Sequence, residues 1–139
     1  MLHGQYNRIV LLVDDDRISN FISAKAIEQS GLADEIITSI SGSEALDIIR
    51  QSVGSDRFPG MIFLDINMPE MSGWDFIHEY RKVVNDLHQD RKIVILTSSI
   101  HENDRLTSLK YPEVYSFILK PLTMEDIKKT FPEEFFKKV

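Results

Sequence analysis

Several features are absent from this sequence of 139 residues, and each absence excludes a class of protein. It contains no cysteine, so a disulfide framework, a thiolate metal site and thiol catalysis are excluded. It contains no signal-peptide pattern and no apolar run long enough to cross a bilayer. Basic residues number 16 against 22 acidic ones, and the formal charge of −6 argues against direct nucleic-acid binding. We therefore expect a cytoplasmic protein that binds neither membranes nor nucleic acid.

The composition indicates one globular domain. Apolar residues make up 42% of the chain and charged residues 27%, as in proteins that bury a core without disulfides. There is no Pro/Gly/Ser-rich linker and no short-period repeat. We expect a single domain over residues 1–139, with a core from about residue 8 to about residue 130 and a short C-terminal extension over residues 131–139.

Five short apolar runs alternate with amphipathic stretches along the chain. They cover residues 9–13, 36–40, 61–64, 93–96 and 117–119. Several are rich in Ile and Val and none is long enough for a buried helix, so they predict strands. Five β–α repeats predict right-handed crossovers and a doubly wound α/β fold around a parallel sheet. The second run is the more polar one, which favours an edge position.

The helices between these runs are predicted from apolar spacing. Ile18, Ile22, Ala26 and Ile27 recur at helical intervals before Gly31, a residue that commonly ends a helix. They predict the buried face of the first helix.

Capping residues and a proline predict the boundaries of the other helices. Ser43, Ser72 and Thr123 predict three helix starts, and a short polar helix is expected over residues 103–109. Pro132 breaks the last helix, so residues 133–138 should form a separate turn.

Chemically active side chains follow four of the five predicted strands. Ligand sites in open α/β sheets lie beyond the carboxyl ends of the strands, so we expect these side chains to meet. One aspartate after a strand is often only a helix cap, but three in a row exceed what one cap needs. In strand order, the groups are Asp14, Asp15 and Asp16, then Asp65, then Thr97 and Ser98, then Lys120.

These groups match the chemistry of phosphoryl transfer to a carboxylate. Carboxylates from adjacent strand ends repel one another, and Mg²⁺ relieves this because it prefers oxygen ligands. A carboxylate can also act as a nucleophile and form an aspartyl phosphate. The Lys120 ammonium, the Thr97 hydroxyl and backbone N–H groups near Ile66 and Asn67 can hold the oxygens of the transferred group.

The same residues lie in four segments that resemble the receiver domain of bacterial two-component response regulators. The segments read LLVDDD at residues 11–16, LDINMPEMSG at 64–73, ILTSS at 95–99 and FILKPLT at 117–123. The resemblance extends over residues 8–127, nearly the whole chain. It implies a flavodoxin/CheY-like (βα)5 fold with the strand order 2-1-3-4-5.

The resemblance also implies a role for each site residue. Asp65 would be the phosphoacceptor, Asp15 the direct Mg²⁺ ligand, and Asp14 a ligand acting mainly through water. Asn67 would bind the metal through its backbone carbonyl. Lys120 would pair with the phosphoryl group.

A conformational switch is implied as well. Thr97 would move towards the phosphoryl group, and the Phe117 ring would turn inward to fill the space. The change would reach the face formed by the fourth helix, fifth strand and fifth helix, a possible site of a phosphorylation-dependent homodimer. The Lys120–Pro121 peptide would be cis, and the residues that tune the site would be Ser98, Ser99 and Pro121.

A receiver of this kind is a phospho-accepting switch rather than an enzyme, apart from its own phosphorylation and dephosphorylation. Its donor would be a histidine kinase or a phosphotransfer protein. Too few residues follow Lys120 for an effector domain, so we expect output through contacts with an unidentified protein, or a place within a phosphorelay. Residues 111–114 and Pro132 depart from the family pattern on the output face.

Two other functions remain open from the sequence. A phosphatase of the haloacid-dehalogenase type would use Asp14 as nucleophile and Asp16 as general acid. However, Ile18 stands where that family has Thr or Val, no late acidic motif follows Lys120, and the segment around Asp65 would be unexplained. The other possibility is an interaction module that keeps the fold without being phosphorylated.

Overall fold

The computed structural model describes residues 7–84 and 92–137. Strands and helices alternate along this part of the chain. The strands are β1 (Ile9–Val13), β2 (Glu35–Ser39), β3 (Met61–Asp65), β4 (Lys92–Thr97) and β5 (Val114–Leu119). The helices are α1 (Arg17–Ser30), α2 (Gly42–Ser52), α3 (Gly73–Val84), α4 (Glu102–Ser108) and α5 (Met124–Thr130), followed by a short 3₁₀ helix (Glu133–Phe135).

The strands form one parallel sheet in the order β2-β1-β3-β4-β5, which confirms the predicted fold class and strand order. Every residue of β1 and β3 is buried, as expected of interior strands covered by helices on both faces. By contrast, β2 is mostly half-buried and lies at the predicted edge. The register pairs Asp65 with Leu96 and Thr97 with Leu119, so the carboxyl ends of β3, β4 and β5 lie at the same edge of the sheet.

The core lies on both faces of the sheet. On one face, Leu46, Ile49, Phe76 and Ile77 of α2 and α3 pack with β1, β3 and β4. On the other face, Ala26 and Ile27 of α1 and Ile127 of α5 pack with the same strands. These buried contacts fix the strand ends, and they therefore position the side chains that follow them.

The predicted buried face of α1 is partly wrong. Ala26 and Ile27 are buried, but Ile18 is 71% exposed and Ile22 is 42% exposed. A polar residue takes an inward position instead: Asn20 is buried, and its amide donates to the backbone carbonyls of Asp14 and Ser39 at 3.0 and 3.1 Å. The first half of α1 thus serves the strand ends through hydrogen bonds rather than through apolar contact.

The helix predicted to begin at Ser43 begins one residue earlier, at Gly42. Ser41 caps it, because its extended backbone lets Oγ accept the Glu44 N–H at 3.0 Å. The Glu44 carboxylate in turn accepts the Ile40 N–H at 2.8 Å. The two other predicted capping hydroxyls do accept N–H bonds at helix starts, those of Ser72 and Thr123.

The C-terminal segment turns back onto the amino ends of the strands. Pro132 follows α5, and the separate turn predicted after it is the 3₁₀ helix; Lys138 lies outside the described residues. Arg8 donates to the Phe135 carbonyl at 2.8 Å, and the Lys137 N–H donates to the Gly31 carbonyl at 2.9 Å. Gly31 ends α1 as predicted, with φ at 81°.

None of the helices within residues 7–84 and 92–137 combines the length and the apolar character that crossing a bilayer requires.

Candidate functional site

Asp14 is held rigidly at the carboxyl end of β1. Its side chain is 1% exposed. The Ser19 hydroxyl donates to Oδ2 at 2.6 Å, and the Asp16 N–H donates to Oδ1 at 3.0 Å. Lys120 Nζ lies 2.7 Å from Oδ2. Both carboxylate oxygens therefore have partners, which fixes their orientation.

The two aspartates that follow differ in their surroundings. Asp16 caps α1, because its Oδ1 accepts the N–H groups of Ile18 and Ser19 at 2.9 and 3.2 Å. Asp15 is exposed, and one of its carboxylate oxygens lies in a cluster with those of Asp14 and Asp65, all within 4.8 Å of one another. Asp15 is thus the solvent-facing member of this three-carboxylate cluster.

Asp65 is the last residue of β3 and is 4% exposed. Its Oδ1 accepts the Asn67 N–H at 3.0 Å, and its Oδ2 lies 3.3 Å from Lys120 Nζ. The loop after Asp65 folds against the start of α3, where a Cβ on Gly73 would lie 2.8 Å from Ile66 Cα. Glycine at position 73 therefore lets this loop approach the helix closely and hold its shape.

The electrostatics of the cluster are unbalanced. Burial raises the pKa of the Asp65 carboxyl, the nearby Asp14 charge adds to the rise, and the bonds from Asn67 N–H and Lys120 only partly oppose it. Burial alone would lower the pKa of Lys120, but its bond to Asp14 and the charges of both buried aspartates outweigh burial and raise it. Lys120 therefore stays charged, and one ammonium faces three carboxylates.

This donor set fits a hard divalent cation. Three carboxylates against one ammonium leave two formal negative charges unbalanced. Mg²⁺ and Ca²⁺ take oxygen ligands, and Mg²⁺ is usually bound through one or two carboxylates with water and phosphate oxygens completing its shell. Asp15 faces solvent, so an ion with several waters can be held there.

The remaining predicted residues lie on the strand ends beside this cluster. Thr97 is fully buried at the end of β4, and its hydroxyl donates to the Ser99 carbonyl at 2.7 Å. Phe117 is half-buried on β5, Ser98 is exposed, and the Lys120–Pro121 peptide is cis, as the family resemblance implies. Thr97 thus reaches the site only if its hydroxyl leaves the Ser99 carbonyl.

The sequence did not reveal the residues that orient Asp14. Ser19 binds its carboxylate and Asn20 binds its backbone carbonyl. Both lie in the first turns of α1, a helix that is predicted only from the spacing of its apolar residues. Their signal was weak: two polar residues interrupt that apolar spacing just after the capping aspartate.

An open parallel sheet with an acidic cluster and a half-buried lysine at its carboxyl edge defines a receiver-type α/β domain. Residues 10–131 match the response regulator receiver domain, and the chain belongs to this family.

Relatives and solved structures agree with this assignment. The probable methanogenesis regulatory protein FilR2 of Methanothrix harundinacea is 30% identical over 90% of this chain and 79% of its own length. The sensor histidine kinase CheAY of Helicobacter pylori is 27% identical over 84% of this chain, which spans only 14% of that kinase. A two component response regulator from Cytophaga hutchinsonii matches with a TM-score of 0.81 and 29% identity, over 88% of this chain and 92% of that one. Chemotaxis protein CheY4 of Vibrio cholerae matches with a TM-score of 0.71 and 27% identity, over 88% and 93%.

Proposed function

We propose that this chain is a phospho-accepting switch in which Asp65 receives a phosphoryl group in a Mg²⁺-dependent reaction. The observation that carries the proposal is the placement of the Asp65 carboxylate. It lies 3.3 Å from Lys120 Nζ and within 4.8 Å of the carboxylates of Asp14 and Asp15. The histidine kinases among the relatives of this chain support a histidine kinase, or a phosphotransfer protein carrying a phosphohistidine, as the donor.

The transfer is a displacement at phosphorus. An oxygen of the ionised Asp65 carboxylate forms the new P–O bond, the P–N bond to the donor's imidazole breaks, and that imidazole takes up a proton. Burial works against ionisation of Asp65, while the Lys120 charge favours it. Asp14, Asp15, Asp65 and the Asn67 carbonyl would hold magnesium, which would supply positive charge opposite the oxygens of the transferred group.

Two side chains would hold the phosphorylated state. Lys120 Nζ already lies between Asp14 and Asp65, so it can pair with a phosphoryl oxygen without a large movement. The Thr97 hydroxyl would exchange the Ser99 carbonyl for another phosphoryl oxygen, and Phe117 would follow it inward. Ser98, Ser99 and Pro121 border this movement and would set how long the phosphoryl group persists.

Output would pass through the face formed by α4, β5 and α5, to a target protein, to a second copy of the chain, or onward as a relay intermediate. Five large apolar side chains on or beside these elements are exposed, and burying them against a partner would be favourable. They are Leu106, Leu109, Tyr115, Leu119 and Met124. Relatives of this chain include a sensor histidine kinase and a hybrid signal transduction histidine kinase, and we infer that the reaction takes place in the cytoplasm.

The geometry disfavours a phosphatase that uses Asp14 as its nucleophile. Asp14 Oδ2 accepts the Ser19 hydroxyl bond and lies 2.7 Å from Lys120 Nζ, and Oδ1 accepts the Asp16 N–H. Asp14 is thus more fully bonded than Asp65, which has one partner on each oxygen. Asp16, which would be the general acid, is committed to the N-terminus of α1.

The test is intact-mass measurement after incubation with magnesium and a small phosphodonor such as acetyl phosphate. A single phosphoryl adduct is expected in the wild type and in Asp56→Asn, the same chemical change at an exposed loop position. Asp65→Asn should give none, and a chelator added first should prevent the adduct. An adduct that survives Asp65→Asn contradicts the proposal, and its loss in Asp14→Asn alone points to the phosphatase chemistry.

A further inference from the structure

Tyr111, in the connection between α4 and β5, is bound to α3 by three kinds of contact. Its ring is 8% exposed and stacks on the Trp74 indole, with centroids 5.1 Å apart and planes at 25°. Its hydroxyl lies 2.7 Å from His78 Nε2. The Arg81 guanidinium lies over the same ring, 4.8 Å from its centroid. One buried tyrosine thus ties this connection to three successive turns of α3.

A second residue of the connection reinforces this attachment. Arg81 Nε and Nη2 donate to the two carboxylate oxygens of Glu113 at 2.5 and 2.8 Å, and Nη2 also donates to the Lys110 carbonyl at 3.3 Å. Burial would raise the pKa of Glu113, but the bonds from Arg81 outweigh burial and lower it. We call these five residues the α3 clamp: Trp74, His78, Arg81, Tyr111 and Glu113.

The α3 clamp contacts the ring that is expected to switch. The Phe117 ring lies 6.4 Å from the Trp74 ring, with planes at 52°. Trp74 therefore has Tyr111 on one side and Phe117 on another. None of the seven residues of α4, all of which the structure describes, is buried. The clamp therefore holds the end of the segment between β4 and β5 to α3.

We propose that phosphorylation of Asp65 releases the α3 clamp, so that residues 109–113 detach from α3 in the switched state. When Phe117 turns inward, Trp74 loses one of the two rings that hold it, and its stacking on Tyr111 weakens. The connection then keeps only the Tyr111–His78 hydrogen bond and the contacts of Arg81 with Tyr111 and Glu113, which give way as residues 109–113 leave α3. This inference rests on the proposed function, because it needs a phosphoryl group on Asp65.

Coupling of this kind is reciprocal. If the switched state weakens the clamp, then weakening the clamp by substitution must favour the switched state. Tyr111→Phe removes the bond to His78 and keeps the ring, and Glu113→Gln removes the ion pair with Arg81 and keeps the side-chain shape. Each variant should therefore bind a phosphoryl analogue more tightly than the wild type.

The test uses Trp74, the sole tryptophan of the chain, as its probe. The full chain with magnesium is titrated with beryllofluoride, and the emission of Trp74 is followed. The emission should shift to longer wavelength as the indole loses Phe117 and gains solvent. The beryllofluoride concentration at the midpoint of the titration should fall about two- to tenfold in Tyr111→Phe and in Glu113→Gln. This factor corresponds to the free energy of one hydrogen bond.

The matched control is Tyr115→Phe. Tyr115 also has a ring stack, on Phe131 at 5.2 Å, and a hydroxyl bond, to the Thr130 carbonyl at 3.3 Å, but these join β5 to the other side of the domain. The beryllofluoride midpoint of Tyr115→Phe should stay within about twofold of that of the wild type.

Intact mass with acetyl phosphate, measured on the same samples, separates the two proposals. An adduct on Asp65 with unchanged Trp74 emission, or with midpoints of both clamp variants equal to the wild type, overturns the release of the clamp and leaves the proposed function standing. No adduct and no beryllofluoride response in the wild type overturns both. Hydrogen exchange gives a second readout: the amides of Lys110, Tyr111 and Glu113 should exchange faster with beryllofluoride bound, and unchanged rates contradict the release.

Discussion

Two groups of charged side chains in this molecule follow opposite rules. In the α3 clamp, one cation faces one carboxylate, and Arg81 holds the pKa of Glu113 below its ordinary value. At the carboxyl edge of the sheet, one cation faces three carboxylates, and burial raises the pKa of Asp65 above its ordinary value. The clamp carboxylate is therefore stabilised by folding, whereas the Asp65 carboxylate is held in its charged form against a cost.

This difference in charge balance decides whether each group of side chains can respond to a ligand. In the α3 clamp the charges of Arg81 and Glu113 already balance, so a ligand finds no unpaired charge to bind there. The clamp can therefore act only on the segments that it joins. A cluster with uncompensated charge gains free energy when a cation and a polar group arrive, and that gain can drive a conformational change. The less stable of the two regions is thus the one suited to receive a signal.

The largest expected effect comes from removing the single cation of the site. Lys120→Met should lower the free energy of unfolding by about 3 kcal/mol, because breaking a buried ion pair leaves Asp14 and Asp65 facing each other unpaired. Urea denaturation near neutral pH in the presence of a chelator measures it. Lys129→Met, the same change at an exposed position, should stay within about 0.5 kcal/mol of the wild type. A loss as small at Lys120 as at Lys129 would mean that the site is not electrostatically strained.

The next largest effect is stabilisation by magnesium. At a free concentration about 100 times its Kd, the ion should raise the free energy of unfolding by about 2.7 kcal/mol, because it binds the folded site and not the unfolded chain. Asp15→Asn should remove most of this gain. Asp16→Asn should keep it, since asparagine caps a helix about as well as aspartate. Equal gains in both variants would exclude Asp15 as a ligand.

Much of the fold and of the site could be predicted from short local patterns in the sequence. The parallel arrangement of the strands then brings the residues of these patterns together. The short apolar runs predict the strands, and the carboxyl ends of parallel strands share one edge. Residues as distant in sequence as Asp14, Asp65 and Lys120 must therefore meet there. Their contact required only the strand positions and the strand order.

The remainder depends on contacts that no local pattern encodes. Ile18 and Ile22 have helical spacing, yet Asn20 takes the inward position because two carbonyls at the sheet edge need a donor. The pairing of Trp74 with Tyr111 depends on how α3 packs beside the α4–β5 connection. Sequence identified residues 111–114 only as a departure from the family pattern, and the structure shows what Tyr111 and Glu113 contact.

Replacing a carboxylate by the matching amide should change the free energy of unfolding in opposite directions in the two regions. Asp65→Asn should raise the free energy of unfolding by about 1 kcal/mol without magnesium, because it removes a buried charge that repels Asp14. Glu113→Gln should lower it by about 1 kcal/mol, because Arg81 loses a charged partner that is only partly exposed. Both values come from urea denaturation in a chelator. Changes of the same sign would remove the contrast between the two regions.

The smallest expected effect is the pH dependence of the two changes in unfolding free energy, those of Asp65→Asn and Glu113→Gln. It tests most directly whether the two carboxylates have pKa values shifted in opposite directions. The lowered pKa of Glu113 means that the unfolded chain binds its proton first as the pH falls. Its stabilisation is therefore complete above the ordinary value of 4.5 and is lost as the pH falls through the lowered pKa.

For Asp65 the order is reversed. The folded state takes up the proton first, so the cost of its charge disappears as the pH falls from neutral through the raised pKa, above the ordinary value of 3.8. Unfolding free energies measured in a chelator from about pH 7 to about pH 3 should show the stabilisation by Asp65→Asn and the destabilisation by Glu113→Gln both shrinking as the pH falls, with opposite signs. Each difference should change by less than about 1 kcal/mol over its range. A destabilisation by Asp65→Asn that shrinks as the pH falls would show that Lys120 stabilises the Asp65 charge as Arg81 stabilises that of Glu113, and the site would then lack the free energy that its proposed switch requires.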